Sequence, residues 1–420
     1  MVAPVGAVIR DDRHECLGAL VGRMFAVFEN TFHILDEDRV RRIHIMVHPK
    51  VARSGIGNVD GLDAGNDQRL VADEPGARLT PYQSGGPQRP IASRRVQREI
   101  ALDRIDQVNE SARFNIGCRV DYLAGMIYNW GYVGTVERAL GIALTDRCQY
   151  IRVIVSELQR LASHLLWFGA FLMDLGNFTP FLYCFQDREE ILDMFEMCDG
   201  SRLTYNYFRF GGQERDLSPE MLDRAKQFIP MLRSHLKDYE KLVAHNIIFK
   251  KRTEGVGVIT RDQALAYGVT GASLRATGIP YDVRKVEPYG IYDQFQWDVP
   301  TAKAGDAFAR FEVRVEEMHQ SLRILEQALA RIPEGPYNNP AAPKRFKPDA
   351  GEYYFCVESP RGQMGIYLIS DGTENPYRIK MRTPCYSNLQ VMKEVARNHF
   401  LADVVCILGS LDIVVPDVDR

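Results

Sequence analysis

The sequence is short of paired cysteines, of net charge and of long apolar runs, and each shortage removes a class of protein. Eight cysteines occur among 420 residues, Cys16, Cys118, Cys148, Cys184, Cys198, Cys356, Cys385 and Cys406, and no two of them stand in a Cys-x-x-Cys spacing. A zinc site or an iron–sulfur cluster held by this chain alone is therefore not expected, nor is a disulfide framework in a cytoplasmic chain. Such isolated thiols read as small buried apolar side chains. The formal net charge of −3 leaves no electrostatic footprint for nucleic acid. No apolar run approaches the roughly 18 residues of a membrane-spanning helix, and the N-terminus lacks the basic start and apolar stretch of a signal peptide. A cytoplasmic chain is expected, with membrane attachment only through partners. Gly255-Val256-Gly257-Val258-Ile259 is not the Gly-x-Gly-x-x-Gly of a dinucleotide-binding turn, and no nucleotide site is assigned to it.

What is present is ordinary globular composition, 45% hydrophobic and 25% charged, and one long helical pattern. From Ile151, apolar residues recur at Ile154, Leu158, Leu161, Leu165, Phe168 and Leu172, which is helical spacing. A second stripe, Glu157, Arg160, His164, Trp167, Phe171 and Asp174, shares one side of that helix. The C-terminal half is apolar nearly all round. The pattern predicts a buried helix that carries His164 inward and ends on Asp174, a carboxylate costly to bury unless it is paired, hydrogen-bonded or protonated.

Along the chain, Leu20 to Phe32 reads as a weak helix and Val40 to Val47 as a strand. Ala52 to Arg95 is rich in Gly, Asp, Arg and Pro without period, and reads as loop or disorder. Helices are predicted over 120–140, from Tyr150, over 187–199, in two stretches within 218–248, and over 306–331. Arg209-Phe210-Gly211-Gly212 reads as a turn. The stretch 333–350 reads as a proline-rich linker. Glu352 to Val357, Gly365 to Ser370 and Asn375 to Arg382 read as strands, with a turn at Ser359-Pro360-Arg361-Gly362. A helix from Leu389 and an apolar run Val404 to Leu408 close the chain. The fold class expected is α+β, mostly α, with a helical bundle core and small β elements toward the C-terminus. The domains expected are an anomalous segment 1–116, a bundle 117–332, the linker 333–350 and a C-terminal α/β segment 351–420.

Three motifs then fall together: Arg119-Val120-Asp121-Tyr122; Glu157-Leu158-Gln159-Arg160-Leu161-Ala162-Ser163-His164-Leu165; and Asp174-Leu175-Gly176-Asn177-Phe178-Thr179-Pro180-Phe181. They resemble the 49 kDa-type (D-type) subunit of bacterial NADH-quinone oxidoreductase, respiratory complex I, a family similar in fold to the large subunit of nickel-iron hydrogenases. The resemblance runs over roughly residues 117–420. It does not reach the N-terminal quarter, where the family's Gly-Pro-Gln-His-Pro-x-Thr-His-Gly motif is missing. The expectation is that residues 1–116 come from a wrong reading frame or a mis-joined gene, a replacement domain being the alternative.

The resemblance implies a peripheral subunit of a proton-translocating complex on the cytoplasmic side of the bacterial inner membrane. The subunit would form a wall of the quinone cavity and hold no cofactor itself. Its implied partners are the B-type subunit, which carries the terminal 4Fe-4S cluster, the C-type subunit, and membrane-arm subunits. Tyr122 is implied as the quinone headgroup ligand, and Asp174 as partner of the missing motif histidine. Arg119 and His164 are implied to lie near the neighbouring subunit's cluster. Read on their own, the same four residues stay open: a core tyrosine, a helix-terminus carboxylate, a surface ion-paired arginine and a satisfied core histidine. A nickel site would need two Cys-x-x-Cys pairs, and Cys118, Cys385 and Cys406 are unpaired, which favours the quinone-reducing branch. A scaffold subunit of a related ferredoxin-fed complex and a diverged hydrogenase-like subunit are the alternatives.

Overall fold

A computed structural model describes residues 119–343 and 346–419. The N-terminal expectations (the helix from Leu20, the strand from Val40, the loop-rich stretch and its origin) lie outside the described residues.

The described residues open with α1, Gly125–Leu140, and α2, Asp146–Asp174. Thr145 caps α2 by accepting the Cys148 amide at 3.3 Å, and Asp146 complements the positive helix start. The helix stops where Gly176 turns to φ +88° and the Asn177 amide returns to the Leu172 carbonyl at 2.8 Å. Next come α3, Thr179–Asp199, a two-residue hairpin of β1, Phe208–Arg209, and β2, Gly212–Gln213, and then α4, Pro219–Val243. Five shorter turns of helix, the last of them 3-10, lead to α5, Ala307–Arg331, capped by Asp306 accepting from the Ala309 amide at 2.7 Å. An antiparallel sheet follows. Its β3, Gly351–Ser359, and β4, Gly362–Ser370, pair from Gly351↔Ser370 to Ser359↔Gly362, leaving Pro360 and Arg361 at the hairpin tip, and β5, Arg378–Arg382, lies beyond β4. After two short helices the chain ends in α6, Leu401–Leu411, and α7, Val415–Asp419.

The fold is thus mostly helical, with small antiparallel sheets, as the sequence predicts. Val283–Val286 forms a helical turn, which the Asp282 side chain caps by accepting the Arg284 amide at 2.9 Å. One local expectation changes. The C-terminal helix expected from Leu389 begins earlier, at Pro384, where proline suits a first turn.

One apolar core joins α1, α2, α3, α4, α5 and the inner face of the β3–β4 hairpin. Trp130 of α1 meets Tyr289 edge-on with ring centroids 5.0 Å apart. α2 runs through the centre with nearly every residue from Ile151 to Leu165 buried. No helix among the described residues is long and apolar enough to cross a membrane.

Candidate functional site

The turn that carries Tyr122 is fixed by four hydrogen bonds. Asp121 is wholly buried, and its Oδ2 accepts from Arg361 Nη1 at 2.9 Å while its Oδ1 accepts the Leu123 amide at 3.1 Å. Gln159 of α2 uses both ends of its amide: Oε1 accepts the Met126 amide and Nε2 donates to the Leu123 carbonyl, each at 3.1 Å. Arg361 itself sits at the β3–β4 tip and also donates to Ser163 Oγ at 3.0 Å. Tyr122 is left standing outward, 40% exposed, with no hydrogen-bond partner among the described residues. A phenol held at its backbone and free at its hydroxyl is placed to donate to a ligand.

The Glu157, Arg160 and His164 side chains of α2 turn inward and meet a buried ionic network. Glu157 accepts from Arg284 at 3.0 Å, Tyr292 at 2.7 Å and Ser321 at 2.7 Å. Arg160 donates to the Glu358 carbonyl at 2.7 Å. His164 Nε2 lies 3.0 Å from Glu317 Oε2, and Arg275 binds the other Glu317 oxygen. Arg275 also donates to Glu358 Oε1 at 2.9 Å, and Arg284 to Asp282 at 2.7 Å. Three guanidiniums thus face four carboxyls, all buried. The surplus negative charge falls on Glu358, pushed up to about 7 by burial and by Asp282, against the pull of Arg275. Burial also works against Glu317, but Arg275 and His164 overcome it and hold that carboxyl below the usual range. Arg160 and Arg284 do the same for Glu157. Burial lowers His164, and its Nδ1 has no hydrogen-bond partner among the described residues.

The sign of these shifts sets a pH dependence. Carboxyls depressed in the folded state add stability that is present above their unfolded value of about 4.3 and lost as pH falls through the folded value. Hydrogen-exchange protection in α2 and α5 is expected to hold between about pH 8 and pH 5 and to collapse below about pH 4. Protection unchanged at low pH would deny the network its stabilising part.

The four residues singled out in the sequence do not share one contact. His164 is a core histidine bound to Glu317 and touches neither Tyr122 nor Asp174. Along α2 it lies ten residues from Asp174, a rise of about 15 Å. Asp174, expected inside, is exposed, because it occupies the last turn of α2. Its carboxyl is still raised by partial burial: a Cβ built on Gly409 of α6 would stand 3.9 Å from Asp174 Oδ2. Arg119 is exposed at the start of the described residues. Sequence reasoning misses Asp121, Gln159, Arg275, Glu317 and Arg361. Asp121 and Gln159 stand inside quoted motifs, and Arg361 reads in the sequence only as part of a turn. The six described cysteines are buried free thiols.

A mostly helical α+β protein built around one central helix, its charged side closed by buried arginines and carboxyls, is the class that fold and site define. A family profile described as respiratory-chain NADH dehydrogenase, 49 kDa subunit, matches residues 174–349 and 340–420. The NADH-quinone oxidoreductase D-type subunit of Syntrophobacter fumaroxidans is 56% identical over 302 residues, 72% of this chain and 81% of that protein. The protein of the same name from Desulfotalea psychrophila is 49% identical over 302 residues, 72% and 81% of the two chains. That of Geobacillus kaustophilus is 45% identical over 302 residues, 72% and 82%. The chain belongs to the 49 kDa subunit family of the respiratory-chain NADH dehydrogenases.

Proposed function

We propose that this subunit forms one wall of the quinone-reduction cavity of a proton-translocating NADH-quinone oxidoreductase, with Tyr122 as hydrogen-bond donor to a quinone carbonyl. The observation that carries the reading is the outward phenol on a turn locked by Asp121, Arg361 and Gln159. Reduction of a quinone takes two electrons and two protons, so a donor at the carbonyl oxygen is useful both for binding and for proton delivery. Asp174, at the exposed end of α2 with a raised carboxyl, serves as the second polar group of the cavity. A 4Fe-4S cluster held by the neighbouring B-type subunit supplies the electrons. On this chain, His164 and Arg119 lie on the cluster side. His164 offers a buried ring nitrogen without a hydrogen-bond partner among the described residues, and Arg119 an exposed cation. A cation near a cluster favours its reduced form. Association with the B-type and C-type subunits and with the membrane arm keeps the chain peripheral, on the cytoplasmic side of the inner membrane.

The test is Tyr122→Phe in the assembled complex. Quinone reductase kcat is expected to fall about a hundredfold, the lower end of what a positioned proton donor contributes, while electron transfer from NADH to an artificial acceptor is kept. Unchanged quinone turnover and KM would leave the chain as a scaffold.

A further inference from the structure

The chain climbs from the Tyr122 turn into α1 through Leu123, Ala124, Gly125 and Met126. In a tight turn the carbonyl of one residue accepts the amide three residues on. The Leu123 carbonyl and the Met126 amide stand in that relation, and each is bonded to the side-chain amide of Gln159, at 3.1 Å. That side chain stands in for a peptide group inserted between them. α1 has no side-chain cap of its own, its cap residue being Ala124 at φ −131° and ψ 33°. The first amides of a helix lack acceptors within the helix, and here α2 supplies one. Gln159 is 1% exposed, so water offers no ready substitute.

A second anchor stands one turn further along α2. Ser163 Oγ accepts from Arg361 Nη2 at 3.0 Å, and Arg361 Nη1 donates to Asp121 Oδ2 at 2.9 Å. Positions 159 and 163 are four apart and share one face of the helix. Tyr122 thus hangs between two points that both refer to α2. Asp121 before it is tied through Arg361 to Ser163, and Leu123 after it is tied to Gln159. The first anchor is ionic and passes through the hairpin tip. The second is neutral and direct, and it needs a donor and an acceptor on one side chain.

We propose that Gln159 is a positioning residue for quinone reduction: its side-chain amide, bridging Leu123 and Met126, sets where the Tyr122 hydroxyl stands relative to α2. The inference rests on the reading of Tyr122 as the quinone donor. A carboxylate of the same length keeps an acceptor for the Met126 amide but turns a second acceptor on the Leu123 carbonyl. A methionine keeps the volume and makes no comparable bond.

Gln159→Met and Gln159→Glu in the assembled complex test this. In Gln159→Met, quinone reductase activity is expected to fall about tenfold or more, on the scale of a misplaced reacting group, with electron transfer from NADH to an artificial acceptor kept. Hydrogen exchange of the Met126 amide is expected to speed up about fivefold, the worth of one net hydrogen bond. The Leu123 amide, held by Asp121, is expected to change less. Gln159→Glu adds a pH signature that lost packing does not give. Burial favours the protonated carboxyl, which donates to the Leu123 carbonyl as the amide does. As pH rises that proton is lost and two acceptors face each other. The activity of Gln159→Glu relative to the parent is therefore expected to fall as pH rises from about 6 to about 9. Asp121 on the turn, Arg361 at the hairpin tip, Arg160 beside it on α2 and Asp417, which Tyr128 of α1 holds, are present in both proteins, so the ratio reads the introduced carboxyl. If Gln159→Met does not assemble, this ratio decides. Parent-like turnover and Met126 exchange in Gln159→Met, or a ratio indifferent to pH, overturn the inference. So does quinone turnover that is lost in Tyr122→Phe but kept in Gln159→Met. If Met126 exchange speeds up and neither variant, Gln159→Met nor Tyr122→Phe, alters quinone turnover, the reading of Tyr122 has failed and the anchoring by Gln159 stands.

Discussion

Arg275→Met is expected to destabilise the subunit by about 3–5 kcal/mol, the usual cost of stranding a buried charge by removing its partner. Arg275 is fully buried and serves three carboxyls at once: Glu317 through Nη2, Glu358 through Nη1 at 2.9 Å, and Asp282 at 3.5 Å. Methionine fills part of the volume but leaves those groups facing one another. Lysine is no remedy, since a single ammonium cannot span the fork between Glu317 and Glu358. The loss carries a pH signature. Glu358 already takes up a proton near neutrality, and without Arg275 it takes one more readily, so the variant is expected to be less impaired at pH 6 than at pH 8. Hydrogen exchange in α2, α5 and the β3–β4 hairpin, together with the yield of assembled complex, measures it. A pH-independent loss, or none, would mean the guanidinium is not the network's counter-charge.

The second large effect concerns backbone geometry. Gly271→Ala is expected to cost about 2–6 kcal/mol, summing strain of about 1–3 for a glycine-only conformation with a similar overpacking cost. Gly271 lies at φ +71° and ψ −152°. A Cβ there would sit 2.3 Å from the Arg361 carbonyl oxygen and 2.7 Å from Gly362 Cα. Backbone meets backbone at that point, so no rotamer relieves the contact. The hairpin tip must retreat, and with it the Arg361 guanidinium that holds Asp121. Loss of quinone reduction beyond the loss of assembled protein is the expected reading. Retained stability and activity would show that the tip can shift freely.

The long elements are legible because their apolar spacing persists over many turns: α2 through Leu158, Leu161 and Leu165, and α5 through Met318, Leu322 and Leu325. The short helical turns Ala272–Arg275 and Val283–Val286 are not, since four residues give no period to read. The site is legible only in part. Tyr122 stands out through a motif, and the structure leaves it exposed. Asp174 reads as internal because its neighbours are apolar, yet the end of a helix places a residue by where the chain turns. The ionic network is invisible for a different reason. Glu157, Arg160, Arg275 and Glu317 each look like residues of a solvated face. Their burial is decided by partners far away in the chain, as with Arg314, whose guanidinium lies 4.4 Å above the Trp167 ring.

The bond from Arg160 to the Glu358 carbonyl spans 198 residues of chain. Because synthesis runs from the N-terminus, α2 leaves the ribosome long before the hairpin that must receive its arginine exists. Glu157 and His164 find their partners once α5 is made, but until the hairpin forms Arg160 lacks its carbonyl acceptor and Arg275 lacks Glu358. The network is therefore left incomplete until the hairpin docks, and a nascent chain halted before the hairpin is a natural client for a holding chaperone. Closure of the β3–β4 hairpin onto α2 would be the late event that completes the subunit and makes it ready for assembly.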